Sequence, residues 1–208
     1  MIDYQQFQDG LKNGLRALWQ PWFMSGVRNG GFEQTLRNLC MPHIEKATGR
    51  MAFTESRGRA DLLLCDDDAE LCTRCEFKVN FAQQHGRISG RKEEAIGQVK
   101  GPTGHRAQDG VVVYAIAELI HSQDGLTGKA TRHNGHVAST SYKLFQSQDV
   151  SAAHMKHARA KQESVSAGRH GPIPAFMPLF DQNGLCLEWE SNVARLHVWT
   201  HHQTTGMT

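Results

Sequence analysis

The sequence predicts an α/β fold of the α+β type, in which helices flank a mixed central sheet. Three observations lead to this prediction. Apolar residues recur at helical spacing over residues 4–20 and 31–47, three short strand-like runs follow, and a helix and an apolar strand come next. The order α, β-β-β, α, β favours one sheet with helices packed against it. With 208 residues, the chain is long enough for a domain with its own core.

Two amphipathic helices open the chain. The apolar stripe of the first is Phe7, Leu11, Leu15, Leu18 and Trp19, and that of the second is Phe32, Thr35, Leu36, Leu39 and Cys40. Both stripes have the spacing of a helix with one buried face. Pro21 interrupts the first helix, and Gly49 fits a stop signal after the second.

The middle of the chain is predicted to supply most of the sheet. Strand-like runs cover roughly 51–55, 60–65 and 70–79, a helix is expected at 91–100, and a strand at 110–120. The apolar, β-branched run Val111–Val113 is typical of a strand buried on both faces.

Beyond residue 120 the sequence predicts an extension of this core. We expect a polar loop at 121–140, a basic helix at 149–163, and a β-hairpin formed by Leu185–Trp189 and Ala194–Trp199. The prediction is therefore one domain over residues 1–208, with a core at about 30–120 and a C-terminal extension at about 121–208.

Composition favours a folded cytoplasmic protein with no membrane partner. Hydrophobic residues make up 39% of the chain and charged residues 21%. No apolar run approaches the roughly 20 residues of a membrane span. The N-terminus lacks the basic start and apolar stretch of a signal peptide. The five cysteines are odd in number and scattered, which favours reduced thiols over a disulfide framework.

The net charge of +2 averages two uneven regions. Residues 61–76 hold six acids and one base, whereas residues 121–170 hold seven bases, three acids and six of the twelve histidines. An acidic spot beside a basic face suits a metal site that acts on a polyanion. A chance excess of charge on a solvated surface explains the basic region equally well.

The most informative segment is the hairpin ADLLLCDDDAELCTRCEFKVNF, residues 60–81. A turn centred between Asp68 and Ala69 places Asp61 directly opposite Glu76. Lys78 lies two residues beyond Glu76 and therefore projects from the same face. The opposite face is then apolar, with Leu62, Leu64, Leu71, Cys75, Phe77 and Val79.

Two carboxylates that face each other on a sheet repel each other, so their placement needs a physical explanation. Like charges in this position destabilise a sheet by a few tenths to about 1 kcal/mol, and a divalent cation between them reverses the sign. Mg²⁺ is commonly held by one or two carboxylates together with waters and substrate phosphate, and a nearby lysine can offset negative charge. The pattern therefore predicts a magnesium site for phosphodiester hydrolysis, and an ordinary exposed strand face is the alternative.

These residues resemble the PD-(D/E)xK nuclease superfamily, which has the restriction-endonuclease-like fold. The matching residues are Asp61 and the triplet Glu76-Phe77-Lys78, with fourteen residues between Asp61 and Glu76. Ala60 stands where the motif's name has proline. The resemblance covers roughly residues 30–120, where the segment 31–36 is similar to the family's first helix.

The resemblance implies a metal-dependent endodeoxyribonuclease, such as a restriction-type enzyme. Asp61 and Glu76 would bind Mg²⁺, which Mn²⁺ can replace, with the Phe77 carbonyl as a third ligand. Glu33 would be an auxiliary ligand, and Lys78 would serve the attacking water or the transition state.

The resemblance also implies DNA as the partner, and a homodimer would suit cleavage of both strands. The candidate DNA contacts are Arg57, Arg59, Arg87, Arg91, Lys92 and Gln98. For Arg87, Arg91, Lys92 and Gln98, an ordinary exposed loop or helix face is the alternative. Glu33 has its own alternative, a surface pair with Arg37 one helical turn away.

Other functions stay open at this point. One is a catalytically silent nuclease fold that binds DNA or protein, and another is a nuclease of different specificity, such as a resolvase, a repair enzyme or an RNA nuclease. A zinc site at Cys72-x-x-Cys75 is disfavoured because these positions point to opposite faces of a strand. The pairs His133-x-x-His136 and His154-x-x-His157 could bind metal or lie near phosphate.

Overall fold

A computed structural model describes residues 1–18, 32–54, 61–68, 71–100, 107–121, 145–169, 171–189 and 192–204. In these ranges the chain forms four α-helices: α1 (Tyr4–Arg16), α2 (Phe32–Thr48), α3 (Ile88–Lys100) and α4 (Gln148–Glu163). A 3₁₀ segment, Ala82–Arg87, directly precedes α3. The nine described strands are β1 (Met51–Thr54), β2 (Leu62–Cys65), β3 (Cys72–Phe81), β4 (Ala107–His121), β5 (Ser166–Gly168), β6 (Gly171–Ile173), β7 (Met177–Pro178), β8 (Leu185–Trp189) and β9 (Asn192–Thr204).

Seven strands form one mixed sheet in the order β1-β2-β3-β4-β9-β7, and β8 also pairs with β9. Strands β3 and β4 run parallel. The helix α3 lies between them in the chain and brings the chain back to the end of the sheet where β3 begins. The neighbouring pairs β1–β2, β2–β3 and β4–β9 are antiparallel. The predicted mixed sheet is therefore confirmed.

Helices cover both faces of this sheet. Apolar residues of α1 and α2, including Phe7 and Leu36, pack with Phe77 and Val113 on one face. Apolar residues of α3 and α4 pack on the other face with Val112, Tyr114 and Trp199. Strand β4 is thus buried on both sides, as the Val111–Val113 run predicts. No helix in the described ranges is long and apolar enough to cross a membrane.

Close approach of α1 to α2 explains a glycine inside α1. A Cβ atom added at Gly14 would lie 2.7 Å from the Cα atom of Cys40. The missing side chain lets the two backbones approach, which offsets the cost of a glycine within a helix.

The hairpin of β2 and β3 has the predicted register. Leu62 pairs with Cys75 and Cys65 with Cys72, so Asp61, immediately before β2, is aligned with Glu76. The apolar side of the hairpin faces the core beneath α1 and α2, and the side that carries Glu76 faces α3.

The thiols of this hairpin correct one expectation. Cys65 and Cys72 form a disulfide, whereas the sequence favoured reduced cysteines. The register explains the bond, because these residues face each other at the end of the β2–β3 ladder. Cys75 is a free, buried thiol in the main core, on the face opposite Cys72, as predicted.

The C-terminal region differs from a simple appendage. The predicted hairpin is present, since β8 pairs with the first part of β9. However, β9 also pairs with β4 from Asp109 to His121, and so is an interior strand of the central sheet. The predicted helix at 149–163 corresponds closely to α4, and most of the loop expected at 121–140 lies outside the described residues.

Candidate functional site

The candidate site lies along the part of β3 that extends beyond β2. Pairing with β2 ends at Cys75, so the next main-chain groups on that edge need other partners. The Phe77 N–H donates to the Asp61 Oδ2 at 2.8 Å, and the Val79 N–H donates to the Glu33 Oε2 at 3.0 Å. Two carboxylates from different elements are thereby held at one strand edge.

Glu76 and Lys78 project from the adjacent face of β3, beneath α3. Both side chains are buried, with residue exposures of 2% and 5%. The Lys78 Nζ donates to the Glu76 Oε1 at 2.6 Å, and it lies 3.7 Å from the Glu94 Oε1 on α3. The ammonium therefore lies between one buried and one exposed carboxylate.

Burial raises the pKa of Glu76 to about 7. The hydrogen bond and charge of Lys78 and the Asp61 main chain act in the opposite direction, while the negative charge of Asp61 raises the pKa further. The other carboxylate oxygen of Glu76, Oε2, is buried and has no hydrogen-bond partner within the described ranges. Such an oxygen is costly to leave unpaired, so a positive ligand would stabilise it.

The amine of Lys78 responds differently to the same surroundings. Burial alone would lower its pKa, but the hydrogen bond and charge of Glu76, together with the charges of Glu33 and Glu94, raise the pKa above its ordinary value. The raised pKa favours the charged form of Lys78, which suits charge stabilisation.

Two arginines fix the outer carboxylates. The Arg37 Nη1 donates to the main-chain oxygen of Asp61 at 3.3 Å and lies 3.8 Å from its Oδ1. The Arg91 guanidinium donates to the Glu33 Oε2 at 3.0 Å and to the Val79 carbonyl at 3.2 Å. Asp61 and Glu33 are thus each held by a main-chain N–H and an arginine.

The other residues expected to contact DNA occupy different environments. Arg57 and Arg59 lie outside the described residues. Arg87 is exposed at the end of the 3₁₀ segment. Gln98 lies one turn beyond Glu94 on α3, and its side-chain Oε1 is buried without a hydrogen-bond partner in the described part of the chain. Of these, Gln98 shares a helix face with a residue that touches Lys78.

Lys92 does not fit the expected role as a phosphate contact. It is fully buried, and its ammonium donates to the main-chain carbonyls of Lys161, Gln162 and Ser164 at 3.0–3.4 Å. These carbonyls belong to the C-terminal end of α4, where a cation satisfies unpaired acceptors. Burial lowers the pKa of Lys92 to about 8. The side chain connects α3 to α4 instead of facing solvent.

The oxygen donors near Glu76 suit a divalent cation. Asp61 and Glu76 supply carboxylate oxygens, and the Phe77 carbonyl opens to the same edge as its N–H, which faces Asp61. Oxygen donors of this kind suit Mg²⁺, and the unpartnered Glu76 Oε2 gives a cation a reason to bind. The described residues contain no group of three His, Cys, Asp or Glu side chains placed to hold a metal ion. The fit therefore rests on two carboxylates and a main-chain carbonyl.

Two residues of this network, Arg37 and Glu94, were not expected at the site from the sequence. Arg37 was considered only as a surface partner of Glu33, but it contacts Asp61, and Glu33 pairs with Arg91. The sequence contains one indication for Arg37, because this residue lies one helical turn from Glu33 and so shares its helix face. It contains none for Glu94, since the place of this residue beside Lys78 depends on how α3 crosses β3. Comparison of the chain with protein family models, curated proteins and solved structures found no match.

Proposed function

We propose that this chain is a metal-dependent endodeoxyribonuclease that hydrolyses DNA phosphodiester bonds with Mg²⁺, for which Mn²⁺ can substitute. The observation that carries this proposal is that Asp61 and Glu33 bind one edge of β3 while Glu76 and Lys78 project from its adjacent face. A buried Glu76 oxygen there has no hydrogen-bond partner in the described ranges. The resemblance to the PD-(D/E)xK superfamily and its restriction-endonuclease-like fold supports the proposal through the same residues.

In this proposal the metal ligands are Asp61, Glu76 and the Phe77 carbonyl. Bound Mg²⁺ would polarise the scissile phosphate and lower the pKa of a coordinated water. Arg37 keeps the Asp61 carboxylate in place through its contacts at 3.3 and 3.8 Å. Burial of Glu76 keeps water away from that carboxylate and strengthens its attraction for a cation.

Lys78 has a separate role as the cation beside the reacting phosphate. Its raised pKa keeps the amine protonated, so it can offset the negative charge that develops in the transition state or orient the attacking water. Glu94 supplies a second acceptor, at 3.7 Å, when Lys78 leaves Glu76. Glu33 and Arg91 orient the adjacent main chain at Val79, and Glu33 is an auxiliary ligand in this scheme.

DNA contacts in this scheme come from four arginines and one glutamine. Arg87 and Arg91 would approach the phosphate backbone, Gln98 would reach toward the site from α3, and Arg57 and Arg59 precede Asp61 in the chain. Such contacts position a duplex without reading its sequence.

Cleavage of supercoiled plasmid DNA tests this proposal. We expect the wild-type chain to nick or linearise the plasmid with Mg²⁺ or Mn²⁺, and to leave it intact with EDTA. Lys78→Ala should reduce the rate by roughly 10²-fold or more, as expected for loss of a group that stabilises transition-state charge. Lys46→Ala is the matched control, since this exposed lysine lies in the last turn of α2, away from the site.

Two outcomes would contradict the proposal. Equal cleavage by the wild type and Lys78→Ala would point to a contaminating nuclease. Binding of plasmid without cleavage under Mg²⁺ and Mn²⁺ would favour the alternative of a catalytically silent nuclease fold. A parallel incubation with RNA separates a DNA enzyme from an RNA nuclease.

A further inference from the structure

A cluster of basic side chains lies outside the candidate site, where the 3₁₀ segment meets α4. The His85 ring centroid is 5.4 Å from that of His154 and 5.4 Å from that of His157. His154, His157 and Lys161 follow each other at three- and four-residue intervals, so they share one face of α4. We name these four residues, His85, His154, His157 and Lys161, the basic cluster.

The electrostatic environment of the basic cluster favours an anion. Burial and the neighbouring His154, His157 and Lys161 lower the pKa of His85. These three residues are all on α4, and among the described residues no acidic side chain, from α4, α3 or the sheet, contributes to this shift. A phosphate oxygen would attract protons to the imidazoles, whereas a metal cation would be repelled by the Lys161 ammonium.

The basic cluster is close to the candidate site along the chain. The 3₁₀ segment continues directly from β3, so the path from Lys78 to His85 is at most about 18 Å, from the rise per residue of a strand and a 3₁₀ helix. This distance corresponds to about five base-pair steps of B-form DNA. A duplex cut at the candidate site can therefore present a flanking phosphate to the basic cluster.

From these observations we infer, building on the proposed function, that the basic cluster binds the phosphate backbone of the DNA beside the cleaved bond. Protonated imidazoles supply the charge-assisted donors, and Lys161 supplies a permanent positive charge. The contact positions the duplex and carries no sequence information. Binding through the cluster strengthens as pH falls and the histidines gain protons.

Fluorescence anisotropy with a labelled 20-base-pair duplex tests this inference. The full chain is titrated in EDTA, which prevents cleavage, at pH 6 and pH 8 and at several salt concentrations. The test variant is His154→Ala/His157→Ala, whose positions lie on the helix surface. The control is Lys156→Ala, an exposed base on the opposite side of α4.

We expect the wild type to bind the duplex about fivefold more tightly at pH 6 than at pH 8, because phosphate contacts depend on protonated imidazoles. The double variant should lose most of this pH dependence, and its slope of log affinity against log salt should fall by about 1 at pH 6. Lys156→Ala should keep the wild-type pH dependence.

Unchanged affinity and salt slope of the double variant at pH 6 would overturn the inference. Loss of Zn²⁺ binding by the double variant, with DNA affinity intact, would overturn it in favour of a metal site. Equal dependence of RNA-duplex binding on these histidines would support a backbone contact that does not distinguish the two nucleic acids. A wild type that binds DNA through the cluster but cleaves none with Mg²⁺ or Mn²⁺ would contradict the proposed function alone.

Discussion

Glu76 shows how one side chain can combine two unlike environments. Its Oε1 accepts a 2.6 Å hydrogen bond from Lys78, while its Oε2 is buried and has no hydrogen-bond partner in the described part of the chain. Burial favours the neutral, protonated form of this carboxyl group. The ionised form would place a negative charge away from water without full compensation. In the proposed function, this unpartnered oxygen is the atom that would attract a divalent cation.

This environment predicts a pH-dependent stability. The pKa of Glu76 is about 7 in the folded protein and near the ordinary 4.5 when unfolded, so folding takes up a proton between these values. In EDTA, which keeps the site free of metal, the free energy of unfolding therefore falls as pH rises from about 4.5 to 7. Glu76 contributes about 3 kcal/mol to this decrease. Glu76→Gln should remove that component, which urea unfolding of both proteins at pH 5, 6, 7 and 8 measures. Parallel stability profiles for the two proteins would contradict the prediction.

Adjacent residues on α3 illustrate what a sequence pattern can and cannot predict. Arg91 and Lys92 are basic residues in a segment expected to contact DNA. In the structure, Arg91 pairs with Glu33, and Lys92 is buried against the end of α4. Successive helix residues point about 100° apart, so their roles depend on how the helix is rotated over the sheet. That rotation is set by tertiary packing, which the local sequence does not encode.

At the scale of elements, the β2–β3 hairpin was predictable because its signal is local. Alternation with a period of two and a short polar turn determine the register, and with it the alignment of Asp61 with Glu76. The same register places Cys65 opposite Cys72, although composition favoured reduced thiols. The hydrogen bonds from Phe77 and Val79 to carboxylates were not predictable, because Glu33 arrives from a distant helix.

The disulfide should stabilise this hairpin measurably. Its cysteines are separated by 7 residues, and closing a loop of that size contributes about 2 kcal/mol by limiting the unfolded chain. We expect Cys65→Ser/Cys72→Ser to lower the free energy of unfolding by about this amount, measured by urea denaturation without reductant.

Cys186→Ser is the control, because Cys186 is an exposed free thiol, and it should leave stability unchanged. A count of three reactive thiols in the denatured, unreduced wild type would agree with the pairing. Five reactive thiols would contradict it.

On the scale of the whole molecule, the sheet joins both halves of the chain. Strand β9 pairs with β4 from Asp109 to His121, and Trp199 contributes to the core between the sheet and α4. The sequence suggested a core ending near residue 120, because pairing between strands more than 70 residues apart leaves no local signal. Residues 192–204 are part of the central sheet.

A chain shortened to residues 1–121 should therefore fail to fold. It would expose one edge of β4 and much of the face that carries Val112, Tyr114 and Ile116. We expect no cooperative thermal transition by circular dichroism and strong binding of a hydrophobic dye. A cooperative transition close to that of the full chain would show that the first 121 residues form an independent domain.

The central claim is that Asp61 and Glu76 share one divalent cation, and anomalous diffraction from crystals grown with Mn²⁺ tests it most directly. We predict a peak between these two carboxylates, within about 2.0–2.6 Å of oxygen ligands that include the Glu76 Oε2. The peak should be absent in Glu76→Gln. No peak at this position in the wild type, or a peak that persists unchanged in Glu76→Gln, would contradict the claim.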